Sequence, residues 1–235
     1  MPALDTGYRG PHDDDGSAGP GVRAALAAYG AGQGSEHAAL TALARARLLV
    51  PVVAVLTGAT EAGGPRQLKR EKSSEMALPT LIGRDGRSAV LAFTCLDALA
   101  RWRSDARPIP VMADRVWRAA ADESGAVVLD VAGPVPLAVE GARLAALAAG
   151  GAVPLAHEDP DVRDAVMRAV ADVPGITSVS LTSSDDNDFA VGLLAGAPPD
   201  AVRRAAAAIA TQLGGRFRRG IEITVTPARP ARGRP

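Results

Sequence analysis

Few side chains in this chain of 235 residues stand where their types and spacing could do chemistry. Cys95 is the only cysteine. In the first turn of a helix, unpaired backbone amides and the macrodipole would favour its thiolate, the form a sulfur-transfer reaction needs. Such a reaction also needs a loop of amides cradling the sulfur, whereas Cys95 directly follows a strand-like run. Thr94 with Asp97 three positions on reads as a capping box. A structural thiol is therefore expected, because free cysteine is among the most buried residue types. Ser183 to Asp188, SSDDND, has the look of a calcium loop. Counted from Asp185, however, it lacks the glycine at position six and the glutamate at position twelve, so it reads as a hairpin turn. His12, His37 and His157 have no metal-ligand spacing with Cys95. No serine stands in Gly-x-Ser-x-Gly, and no Gly-x-x-x-x-Gly-Lys phosphate loop occurs. The expectation is a non-enzyme with no catalytic residue, no metal and no cofactor.

Two polar stretches remain as binding candidates. The first is Lys69, Arg70, Glu71, Lys72, Ser73, Ser74, Glu75 and Met76. It holds both lysines of the protein, all other basic residues being arginine or histidine. Lysine is a flexible, strongly hydrated point charge, so Lys72 and Glu75 can serve as polar anchors beside an apolar Met76. A solvated loop leading into a strand would look the same, since charge runs usually face water. The second is Arg216, Arg218 and Arg219 around Phe217, residue types that can hold phosphate and stack a base. With only 3% aromatic residues and a formal net charge of zero, the chain has little material for a stacking platform and no general field for polyanions.

The elements that must position these residues follow from composition and periodicity. An apolar share of 47% can supply a packed core. Residues 1–20 are Gly, Pro, Asp and Ser with few large apolar groups and are expected to be a disordered tail, as is 228–235. Val22, Leu26 and Tyr29 fall at helical spacing, and Ser35 caps a second helix carrying Leu40 and Leu43. Leu48 to Leu56 is valine-rich and apolar at successive positions, the pattern of a central strand. Met76–Ile82 and Ala89–Thr94 read as a hairpin about Gly83-Arg84-Asp85-Gly86-Arg87. A helix carrying Leu96, Leu99 and Trp102 follows. Then come extended backbone at Arg107-Pro108-Ile109-Pro110, a helix over 115–122, a strand over 127–131 and a helix over 141–149. Gly150-Gly151 divides a mixed α/β sheet domain, 21–150, from a smaller domain, 151–227.

In that second part Asp159-Pro160 starts a helix whose stripe is Val162, Val166, Ala169 and Val173. Val179 and Leu181 pair with Phe189, Val191 and Leu193 in a hairpin. Val202, Ala206, Ile209 and Leu213 form a further helix before a strand carrying Ile221, Ile223 and Val225. With a short first strand at Val153–Ala156 the order is βαββαβ, a ferredoxin-like sandwich. The fold class is α+β.

The runs LLVPVVAVL, EKSSEMALPTL, AFTCLDALARW, RPIPV and VVLDVAGP resemble the N-terminal domain of the SseB family (enhanced serine sensitivity protein B), in its actinobacterial form, over roughly residues 20–150. The second half resembles the C-terminal region often attached to that domain. The resemblance implies a cytoplasmic protein without established catalytic activity, and it carries no catalytic residues. Its matching positions in the loop-to-strand motif are Glu71, Lys72, Ser73, Ser74, Glu75 and Met76. The expected role is a non-catalytic interaction or regulatory protein with a protein partner or a second copy of itself. Amino-acid sensing of the ACT type, with a small amino acid as ligand, and association with RNA or the ribosome are the alternatives. Nucleic acid is not the expected partner, nor is a membrane: the longest apolar run, Leu48 to Leu56, contains Pro51 and falls far short of the ~20 residues of a spanning helix. The acidic N-terminal stretch at Asp13 to Asp15 is unlike a secretory leader.

Overall fold

The computed structural model describes residues 14–56, 74–77, 80–82, 86, 88–123, 125–196 and 198–227. The fold is α+β. Contacts divide the chain into two compact units: Met1–Gly19 with Arg45–Val139, and Pro20–Ala44 with Glu140–Pro235. The division differs from a simple cut at residue 150, because the first two helices, α1 (Pro20–Gly30) and α2 (Glu36–Leu43), group with the C-terminal part.

The first unit holds two sheets. Strand β1 (Arg47–Leu56) lies between β2 (Ser74–Ala77) and a later strand, β5, as its continuous apolar run predicts. The expected single strand from Met76 to Ile82 is instead two. β2 pairs antiparallel with β1, while β3 (Thr80–Ile82) belongs to the other sheet and pairs antiparallel with β4 (Ser88–Ala92). The β3–β4 hairpin itself forms, and Gly86, at φ +80°, supplies the left-handed conformation its turn uses. Helix α3 (Leu96–Trp102) follows, then β5 (Arg107–Met112), α4 (Ala113–Glu123), β6 (Ala126–Leu129) and β7 (Leu137–Glu140). The second sheet runs β3-β4-β6-β7, with β4 and β6 parallel. Pro108 and Pro110 lack the N–H a central strand would need, and β5 accordingly sits at a sheet edge. The two sheets are joined where Leu49 and Phe93 exchange backbone hydrogen bonds of 2.7 and 2.8 Å.

The core of this unit gathers Leu49, Val53, Leu91, Phe93, Ala98 and Leu99, with the rings of Phe93 and Trp102 5.5 Å apart. Helix α4 buries Ala113, Val116, Trp117 and Ala120, one stripe at 3.6 spacing. Of the expected disordered tail 1–20, residues 1–13 lie outside the described residues. Those that follow are tied down: Gly16 O accepts from Leu96 N at 2.9 Å, and Arg47 reaches Asp14 at 2.9 Å. The expected tail 228–235 is also outside the described residues.

The second unit adds α5 (Gly141–Ala148), α6 (Pro160–Val170), β8 (Ile176–Thr182), β9 (Phe189–Ala195), α7 (Pro199–Leu213) and β10 (Ile221–Pro227) to α1 and α2. Its sheet runs β10-β9-β8; β8 and β9 form the expected hairpin and β10 lies parallel to β9. Val162 and Val166 of α6 and Ala205 and Ile209 of α7 pack with Phe189, Val191 and Leu193 of β9. The expected first strand at Val153–Ala156 is not formed. That stretch is irregular, Pro154 has no N–H to give a ladder, and the order is αββαβ rather than βαββαβ. Asp159 does cap α6, accepting from Asp161 N at 2.9 Å with Pro160 in the first turn. Asp161 in turn accepts from Ala142 N at 2.7 Å. The preceding Gly141 has φ +59°, and a Cβ there would lie 2.1 Å from Asp161 Oδ2, so only glycine fits.

Candidate functional site

Of the loop candidates, Lys69, Arg70, Glu71, Lys72 and Ser73 lie outside the described residues. Ser74, Glu75 and Met76 open β2, opposite Leu56, Val55 and Ala54 of β1. Their backbone is therefore part of a ladder, and the candidate segment runs directly into a paired strand.

Cys95 is the N-cap residue of α3, at φ −149° and ψ 165°, half-buried against the core of its unit. The expected Thr94–Asp97 capping box does not form. Thr94 turns to Asp130 instead, its backbone N–H donating to Oδ1 at 2.8 Å and its hydroxyl to Oδ2 at 2.7 Å. Asp130 is buried and has φ +46°, a conformation that asparagine and aspartate tolerate better than other side chains. Burial pushes its carboxyl above the usual carboxylate range, partly opposed by the two bonds from Thr94. These bonds join the ends of β4 and β6, where Asp130 N also donates to Ala92 O at 3.0 Å.

In the arginine-rich segment after α7, Arg216 and Arg219 are half-buried and engaged by other parts of the unit, while Arg218 is exposed. Arg216 donates from Nε to Glu36 at 2.6 Å and from a terminal nitrogen to Asp159, which is fully buried. Arg143 reaches the other oxygen of Glu36 at 2.5 Å. Two carboxylates and two guanidiniums thus neutralise one another inside the second unit. Burial raises Glu36 against the pull of Arg143 and Arg216, and the same burial lowers Arg143. Arg216 is the strongly held member, since the carboxylates of Glu36 and Asp159 outweigh what burial costs its charge. Phe217 is buried edge-on to Phe189 with ring centroids 4.9 Å apart, and Arg218 lies over Tyr29 at 5.1 Å. The Tyr29 hydroxyl donates to Arg216 O at 2.8 Å.

Arg219 binds the SSDDND turn. Its backbone N–H donates to Asp188 at 2.9 Å and its guanidinium to Asp185 O, while Asp188 N donates to Gly220 O at 3.0 Å. Burial pushes Asp188 above the usual carboxylate range, opposed by the Arg219 amide and charge. Ser184 accepts from Asn187 N and donates to Glu222, which closes the turn. Among the described residues no group of three or more His, Cys, Asp or Glu side chains is placed to hold a metal ion.

Sequence reasoning did not bring Glu36, Arg143, Asp159 and Arg216 together. One signal was present: Glu36 stands three, four and seven residues before Ala39, Leu40 and Leu43, the buried stripe of α2, so its carboxylate shares their face.

The family model for the SseB protein N-terminal domain matches residues 22–146. The chain belongs to the SseB family. The SseB match begins within α1, takes in Glu36 and Arg143, and stops before Asp159 and Arg216. It does not reach the second half, whose resemblance to the family's C-terminal region it leaves aside. Comparison with curated proteins and with solved structures finds no match. Among the described residues no helix is long and apolar enough to cross a membrane.

Proposed function

We propose that this SseB-family chain is a non-catalytic cytoplasmic interaction or regulatory protein that meets a protein partner, or a second copy of itself, through Lys69 to Met76. The use of its polar side chains supports this reading. Glu36, Arg143, Asp159 and Arg216 neutralise one another, Asp130 holds Thr94, and Asp188 holds the Arg219 amide. In the Glu36 cluster and at Asp130, groups that could act as acids, bases or anion holders are thereby engaged in structure. The loop-to-strand segment is where the chain's two ammonium groups stand, next to a strand that fixes Ser74, Glu75 and Met76 in space. Affinity purification from cells with wild type and a Lys72→Ala, Glu75→Ala variant tests it. The wild type should recover a partner that the variant loses, and identical recoveries would overturn the assignment of the contact.

A further inference from the structure

The second unit contains a recess of about 170 Å³ that no part of the interaction reading uses. Four distant pieces of chain wall it: the start of α2 with His37, the irregular turn through Leu155 and His157, the β8–β9 loop with Asp188, and the segment after α7 with Arg219. These walls are fixed before any ligand arrives. Glu36 and Arg216 belong to the buried charge cluster, and Asp188 and Arg219 are bonded through the Arg219 amide. A site whose groups are already held loses little ordering entropy on binding.

We infer that this recess binds a small zwitterion of the α-amino-acid class. Glu36 and Arg216 are already paired within the buried cluster, so the charges the recess offers a ligand are one carboxylate, Asp188, and one guanidinium, Arg219. A plain anion would also meet the Asp188 carboxylate and a plain cation the Arg219 guanidinium. An apolar molecule would leave both desolvated without compensation. A ligand with a carboxylate and an ammonium group satisfies both ends. The Arg219 guanidinium gives one N–H to Asp185 O and has a planar fork of further donors suited to a carboxylate. Asp188, with Ser183 beside it, faces the same space as acceptor for an ammonium. Leu155 and Phe217 offer apolar surface for a short side chain. Size sets the limit: a cavity of ~150 Å³ is known to hold benzene, so this one takes roughly six to eight non-hydrogen atoms.

Isothermal titration calorimetry on the full chain with glycine, L-alanine, L-serine and L-valine tests the inference, with L-tryptophan as an oversized control and acetate and ethylammonium as the two halves. At least one of the small amino acids should bind at millimolar concentration or below, while L-tryptophan and both halves should not. Asp188→Asn keeps an acceptor for the Arg219 amide but removes the charge, and Arg219→Gln removes the fork from a different segment. Each should weaken binding by about tenfold or more while the circular dichroism spectrum stays that of wild type. If one variant fails to fold, the other carries the comparison. No heat with any of the four small amino acids, acetate binding as well as they do, or undiminished binding by a folded variant would each overturn the inference. Loss of the partner in the affinity experiment is a separate readout and does not bear on the recess.

Discussion

Glu36 and Arg216 stand 180 residues apart in the chain and 2.6 Å apart in the second unit. Arg143 holds the other oxygen of the same carboxylate, and Asp159 the other side of the same guanidinium. The helix that carries Glu36 precedes the larger segment of the first unit, Arg45–Val139, so the second unit is assembled from two pieces of chain with about a hundred residues between them.

Removing Glu36 therefore leaves Arg143 and Arg216 facing a shortage of negative charge in the interior. Truncating one partner of a buried ion pair costs about 3–5 kcal/mol. Glu36→Ala should lose that order of stability in the second unit. Both tryptophans, Trp102 and Trp117, lie in the first unit, so their fluorescence reports on that unit alone. The loss should appear in calorimetry and as faster amide hydrogen exchange at β8 and β9. A calorimetric transition unchanged from wild type would show that the cluster contributes nothing.

The same contacts predict how fragments behave. Residues 140–227 alone lack Tyr29, whose hydroxyl holds Arg216 O, and Glu36, which balances both arginines. That fragment should be poorly ordered, and joining residues 20–44 to its end through a flexible linker should restore a dispersed amide spectrum. Equal dispersion with and without the added segment would contradict this account of the unit.

Asp130 gives a pH test in the first unit. Its folded pKa lies above its unfolded one, so the native protein holds the proton more tightly. The stability it contributes is greatest below the unfolded carboxyl range and falls as pH rises through that range to the folded pKa, then levels. Asp130→Asn tolerates the positive φ, keeps a bond to Thr94 N and has no proton to lose. It should stay within about 1 kcal/mol of wild type in acid and gain on it toward neutral pH. Asp130→Ala, which strands the Thr94 amide, should cost about 2–4 kcal/mol. Denaturant midpoints from about pH 3 to pH 7, read by tryptophan fluorescence, decide it. A difference between wild type and Asp130→Asn that does not move with pH would refute the assignment.

What was legible in the sequence was local. The Asp159-Pro160 start of α6, the β8–β9 hairpin and the central place of β1 each follow from a few neighbouring residues, whereas α6 ends at Val170, before Val173 of its expected stripe. Composition also separated strands from helices well enough to give the α+β class. Other features depend on residues far away. Thr94 and Asp97 match a capping box, but the bond from Thr94 goes to Asp130, 36 positions on, because a buried carboxylate needs donors more than an exposed helix end does. Met76 to Ile82 reads as one strand, yet its ends serve different sheets, a choice made by β1 and β4. Arg216 and Arg219 read as part of a cluster able to hold phosphate because the carboxylates that engage them lie elsewhere in the chain. Periodicity places a residue on a face and says nothing of which distant segment that face will meet.

The proposed contact segment has a property that allows a direct test. Lys69 and Lys72 are the only lysines, so apart from the chain's amino terminus an amine-reactive crosslinker can attach nowhere else. In-cell crosslinking followed by mass spectrometry should recover partner peptides joined to Lys69 or Lys72 in the wild type. In the Lys72→Ala, Glu75→Ala variant those from Lys69 should fall away as well. Partner peptides joined to Lys69 at undiminished yield in that variant would contradict the claim that Lys69 to Met76 is where this protein meets its partner.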